Sequence, residues 1–245
     1  MSGQSPTDSP ERESRCPFAV GRRNSQEPIA EPKPVPAIGL AQLLKEGTAE
    51  LHDQAENAAF QTRMVGGKLD RAEFTEFLNQ VLIVHRALDP LLIDASAADG
   101  RIAAMLLPEH RRVPRIEGDI ERLGGSIGSE PLRSTRRFVD FVRKAAVDDP
   151  VALVGVLYVN EGATNGNKVV AKRVRDGIGL EKDFALGYLD PHGPDQRKRW
   201  MAFKAGLDEL DMSEPERQSC LEAARATFRL FMEMSAEFDA VAAER

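Results

Sequence analysis

The stretch Leu43–Asn57, LLKEGTAELHDQAEN, decides how the rest of the chain is read. Its apolar positions return at helical spacing, and at the edge of that stripe stands an imidazole, His52. Two readings of His52 are open from periodicity alone. A half-buried histidine can bond a backbone carbonyl, and a neutral imidazole can equally ligate a metal or a heme iron. Lys45 precedes His52 by two helical turns on nearly the same face, about 10 Å away. A cation at that distance from an iron ligand suits a carboxylate at the rim of a large planar cofactor. Alone, it is a solvated helix lysine.

Outward from this segment the helical signal continues almost without interruption. A first helix is expected over Ile38–Ala59. A second opens with a capping box, Asp70 to Glu73, and runs through Phe74, Phe77, Leu78, Val81, Leu82, His85, Leu88 and Leu92, with Pro90 expected to kink it rather than end it. The segment LLPEHRRVP reads as loop, and RIEGDIERL as a short helix stopped by Gly124 and Gly125. LRSTRRFVDFVRKAAV is helical, and a long helix spans Pro150–Asp176. GIGLEKDFALGYLDPHGP is loop. The helices DQRKRWMAFKAGLDEL and SEPERQSCLEAARATFRLFMEMSAEF follow, the latter begun by a box from Ser213 to Glu216. No convincing strand alternation or internal repeat occurs. The expectation is one all-α, multi-helix bundle over residues 37–245, preceded by a disordered tail over 1–36 that is rich in Ser, Pro, Glu and Arg.

Composition narrows the function classes. A chain of 245 residues can bury a sizeable core, and a net charge of −6 argues against general nucleic-acid binding. Two cysteines, Cys16 and Cys220, make no disulfide framework and fit a reducing compartment. The N-terminus MSGQSPTDSPERESRCP lacks a signal pattern, no apolar run is long enough to span a bilayer, and the ending FDAVAAER carries no anchor. A cytoplasmic protein without membrane contact is expected.

A second constellation lies in LYVNEGATNGNKVVAK, Leu157–Lys172. Gly162 and Gly166 fall on one helix face, each at a cost of about 1 kcal/mol relative to alanine. Either two helices pack closely there, or backbone approaches a flat ligand. Thr164, Asn165 and Asn167 beside them can hold water. A di-iron site is excluded, because the chain has four histidines and no Glu-x-x-His pair. A Ser-His-Asp motif, a P-loop and a zinc CxxC are absent too. The arginine clusters EHRRVPR and RKRW read as solvated faces.

LKEGTAELHDQAEN closely resembles the opening helix of the heme oxygenases, whose pattern is Leu-Lys-Glu-x-Thr-x-x-x-His-x-x-Ala-Glu. YVNEGATNGNKVV resembles the distal helix of the bacterial branch, giving Tyr158, Glu161, Gly162, Thr164 and Gly166. RWMAFKAGLDEL and ERQSCLEAARATFRLF resemble the last two helices, so the likeness covers about residues 38–240. The resemblance implies heme b as substrate and cofactor, with His52 as proximal iron ligand. It implies a distal catalytic segment of Gly162, Thr164, Asn165 and Gly166, and heme contacts from Tyr158 and from lysines. Lys45 and Lys204 match the basic propionate contacts of much of the family and imply opening at the α carbon. Lys168 and Lys172 flank the distal helix, and anchoring by them implies a rotated heme and a β or δ product. The implied reaction consumes O2 and electrons from a ferredoxin or an NAD(P)H-dependent reductase, and releases biliverdin, CO and ferrous iron. The biliverdin would serve iron release or a bilin-binding photoreceptor. The chain departs from the pattern at Ala163, where animal members carry aspartate and bacterial members often serine, and at Asn167, usually a small residue. Those departures motivate a second reading, a heme-binding or heme-trafficking protein without turnover. A helical interaction protein without heme is the third.

Overall fold

Short polar side chains set the starts of three helices, through Asp70, Asp99 and Ser213. The computed structural model describes residues 38–181, 184 and 186–243; the tail expected over 1–36 lies outside them. Among the described residues there are helices and no strands: α1 Leu40–Glu56, α2 Ala59–Val65, α3 Arg71–Ala98, α4 Gly100–Met105, α5 Val113–Arg122, α6 Arg133–Asp148, α7 Leu153–Gly177, α8 Gln196–Asp208 and α9 Glu214–Ala243. Single 3-10 turns cover Pro108–His110, Pro150–Ala152 and Gly193–Asp195.

Asp70 caps α3 by accepting the Glu73 N–H at 2.8 Å, and the helix continues through Pro90 as expected. Asp99 ends α3 and, by accepting the Arg101 N–H at 2.8 Å, starts the short α4. Gly124, at φ 75°, stops α5 in the left-handed region that glycine enters without strain. The first helix is shorter than expected. The Asn57 side-chain amide joins its own backbone N–H on the Asp53 carbonyl, at 2.8 and 3.2 Å, which closes the end of α1, and α2 begins separately at Ala59.

The central core joins α2, α3 and α9 through aromatic rings. Phe60 lies 4.5 Å from Phe77 and 5.4 Å from Phe238, centroid to centroid. Full burial of a Phe or Leu side chain contributes about 1.5–3 kcal/mol, so these rings account for much of the hold on α2. Arg63 of α2 ties the same three helices by pairing with Glu73 and Asp239. Helix α9 runs against α1, α6 and α7, and α8 packs on α1 and α7. At the α7–α9 crossing sits Gly155, where a Cβ would overlap the Cys220 carbonyl oxygen.

Two helices leave the core part-way along. In α7 every residue from Leu153 to Val159 is buried, but beyond Asn160 only one side is, through Glu161, Thr164, Val170, Ala171 and Val174. In α1 the buried positions are Leu40, Ala41, Leu44 and Thr48, and none follows Thr48. These are the segments that the sequence marks as chemically unusual.

Candidate functional site

The two emerging helices meet through Thr48 and Tyr158. The Thr48 hydroxyl, buried and donating to the Leu44 carbonyl at 2.7 Å, also hydrogen-bonds the Tyr158 phenol. Burial pushes the phenol's pKa up, and the Thr48 bond partly offsets that rise. His52 lies one turn beyond Thr48, and Gly162 one turn beyond Tyr158. Both therefore stand within about 6 Å of rise from the meeting point.

The His52 side chain is 56% exposed. Its Nδ1 is 4.0 Å from Asp53 Oδ1 and its Nε2 is 3.8 Å from Glu56 Oε1, both beyond hydrogen-bond distance. The half-buried histidine bonded to a carbonyl, one of the two sequence readings, is not what forms. Phe228 of α9 presents its ring to the imidazole at 6.0 Å in an edge arrangement. Among the described residues, the His, Cys, Asp and Glu atoms close enough to share one cation are those of His52, Asp53 and Glu56, all exposed. Lys45 is exposed on the same helix.

On α7 the two glycines differ in surroundings. A Cβ on Gly162 would lie 3.4 Å from the Trp200 ring, whereas one on Gly166 would meet nothing within 4 Å. Trp200 of α8 packs 5.6 Å from Tyr158 and stacks on Phe203 at 6.0 Å, and Lys204 places its Nζ 5.5 Å from the indole centroid. Ala163, Asn165 and Lys168 are exposed and Asn167 is half-buried. Thr164 lies apart from this open face: it is fully buried, donates to the Glu161 carbonyl at 2.7 Å and accepts from Gln196 Nε2 at 2.6 Å. Lys172 is turned to Asp176, 2.6 Å away.

Thus Lys45, His52, Tyr158, Gly162 and Lys204 lie on elements that meet at one contact, while Lys172 is engaged along its own helix. Sequence reasoning passed over Trp200 and Phe228. Trp200 is the single tryptophan of the chain, which was the available signal. The expectation for EHRRVPR needs correction, because Arg112 is buried and donates to the Asn160 carbonyl at 2.7 Å. A charge run by itself carries no information on which member turns inward. RKRW does lie on a solvated face at Arg197, Lys198 and Arg199, the last paired with Glu109.

The arrangement can hold a flat, anionic, iron-bearing ligand. An accessible imidazole with both ring nitrogens outside hydrogen-bond reach of its acidic neighbours, a helix face without side chains at Gly166, aromatic walls at Trp200 and Phe228, and lysines on α1 and α8 fit heme in chemistry. Comparison with known proteins gives the family and the fold. A family model described as Heme oxygenase matches residues 38–237. The chain is 25% identical over 208 residues to heme oxygenase 2 of Rattus norvegicus, an alignment covering 82% of this chain and 65% of that protein, just under two thirds of its length. It is 26% identical over 208 residues to the heme oxygenase of Pyropia yezoensis, covering 82% of this chain and 86% of that protein. The crystal structure of heme oxygenase-2 from Synechocystis in complex with heme and NO superposes with a TM-score of 0.77 at 22% identity, covering 83% of this chain and 86% of that one, a likeness of fold.

Proposed function

We propose that this chain, which belongs to the heme oxygenase family, binds heme between α1 and α7 and opens it to biliverdin with release of CO and ferrous iron. The observation that carries the reading is the accessible His52 imidazole one turn from the α1–α7 contact, with the side-chain-free turn of α7 equally near. Heme, when bound, is the substrate and supplies the iron at which O2 is activated. His52 would hold that iron through neutral imidazole. Lys45 and Lys204 would take the propionates, and Tyr158 and Trp200 would wall the ring. Gly166, open on its Cβ side, would let the α7 backbone come close to the ligand, Gly162 makes room for the Trp200 ring beside it, and the Asn165 and Asn167 amides would hold water there. Electrons come from an external ferredoxin or NAD(P)H-dependent reductase.

A second reading, heme binding without turnover, is favoured by one feature: Ala163 offers no polar side-chain atom on the open face, and the Thr164 hydroxyl is already engaged. One experiment separates the two. The protein is loaded with hemin and reduced in air with a ferredoxin–reductase system, and the pigment is extracted. Biliverdin formation supports the oxygenase. A stable oxygen- or ferrous-heme spectrum with no bilin supports the second reading.

A further inference from the structure

Where α7 opens on one side at Gly162, its buried side carries Glu161, a carboxylate whose side chain is 4% exposed. Side chains from separate segments converge on it. His110 Nε2 stands 3.4 Å and Arg112 Nη2 3.6 Å from Oε2, and His192 Nε2 stands 3.4 Å from Oε1. Oε2 has no hydrogen-bond partner. The Leu107 N–H donates to His110 Nδ1 at 3.0 Å, which leaves the ring proton on Nε2, facing the carboxylate. Arg112 spends Nη2 on the Asn160 carbonyl, immediately before Glu161. Its own N–H and that of Val113 donate to Asp89 Oδ2 at 2.7 and 3.0 Å, and Asp89 Oδ1 meets His85 Nδ1 at 3.1 Å. Three of the four histidines thus gather behind the turn that leads into the glycines. Among the described residues, the ligand atoms close enough to share a cation are those of His52, Asp53 and Glu56 rather than these.

Two glycines weaken the helix that follows, so its geometry depends on what holds the preceding turn. We propose that Glu161, with His110 and His192, is a positioning cluster that pins the Asn160–Gly162 turn of α7 from the protein side and releases it on acidification. That this turn faces heme rests on the function proposed above. Burial disfavours a charged His192, and although Glu161 favours it, Arg115, Arg112 and His110 oppose it, which keeps its pKa below the usual histidine value. The remaining ionisable neighbours are Tyr188, beside Arg112, and the His85–Asp89 pair. Protonating His192 therefore works against the folded cluster.

The test is amide hydrogen exchange of the full chain without heme, corrected for intrinsic rates, in wild type, Glu161→Gln and His192→Gln. Glu161→Gln removes the carboxylate charge that faces Arg112 and the two imidazoles, and should lower protection over residues 162–167 about tenfold while α3 and α9 stay unchanged. Wild-type protection of that segment should fall as the pH drops through the ordinary histidine range, and His192→Gln should abolish that fall. Wild-type protection in Glu161→Gln, an even loss over all helices, or an unaltered pH response in His192→Gln would each overturn the proposal. Exchange is read without heme, so the outcome is independent of whether hemin binds.

Discussion

A methyl group added at Gly166 meets nothing within 4 Å, whereas one added at Gly155 overlaps the backbone carbonyl of Cys220. The same substitution should therefore act oppositely on one helix. Gly155→Ala forces α7 and α9 apart and should cost about 1–3 kcal/mol, read as a lower thermal midpoint by circular dichroism. Gly166→Ala gains up to about 1 kcal/mol of helix propensity, so the heme-free protein should melt no lower than wild type. With heme bound, the methyl intrudes on the ring or its water, and biliverdin yield per bound heme should drop. A Gly166→Ala protein that melts several degrees lower yet turns over normally would contradict this. Ala163→Ser restores a hydroxyl on the open face and should hold or raise the yield; a clear loss would count against a water network there. The sequence marked both distal glycines, because paired glycines inside a helix demand a reason. It could not separate Gly155, a packing glycine, from Gly166, since only the neighbouring helix distinguishes them.

At the scale of helices, the choice of propionate anchor follows from which lysines are already engaged. Lys172 pairs with Asp176 along α7. Lys204 stands over Trp200 on α8, a helix that packs on both α1 and α7. The pair Lys45 and Lys204 should therefore anchor heme and give mainly the α isomer on chromatography of the product. Lys204→Ala should weaken heme binding and broaden the isomer mixture, while Lys172→Ala, which removes one exposed ion pair, should change little. A product that is mainly β or δ would reverse the assignment. Long amphipathic helices with capping boxes were legible in the sequence: α3 and α9 begin beside the Asp and Ser that announce them. The short α2 and α4 were not, because two turns or fewer give periodicity too little length and tertiary contacts hold them. Phe60 and Arg63 secure α2 through partners that are distant in sequence.

For the whole molecule, burial of titratable groups sets a pH dependence. Burial, the largest cause, pulls His85 and His192 below the ordinary histidine value of 6.5, against the opposing carboxylates Asp89 and Glu161. The folded chain then binds fewer protons than the unfolded chain below that value, so stability is complete above it and declines as pH falls. Glu161 acts in the same direction at lower pH. Burial opposes its charge, but His110, Arg112 and His192 outweigh that and hold its carboxyl below the ordinary 4.5, so its contribution is lost as pH falls further. Melting of the heme-free chain should be level from about pH 8 to 6.5 and drop below that; a midpoint that rises on acidification would contradict the burial account. This cluster was illegible in the sequence, where His85 looked like one more member of an apolar stripe and His110, Arg112 and His192 lay in segments read as loop. Helix α1, by contrast, was legible from local spacing, but spacing left the role of His52 open, and only the resemblance of LKEGTAELHDQAEN to the heme oxygenases singled it out as a ligand. The central claim is that His52 is the iron ligand, and the most direct measurement is the absorption and electron paramagnetic resonance spectrum of the hemin complex in wild type and His52→Ala. Wild type should show a histidine-ligated ferric heme, and His52→Ala should retain some heme by apolar burial while losing that signature. A mutant spectrum identical to wild type would contradict the account.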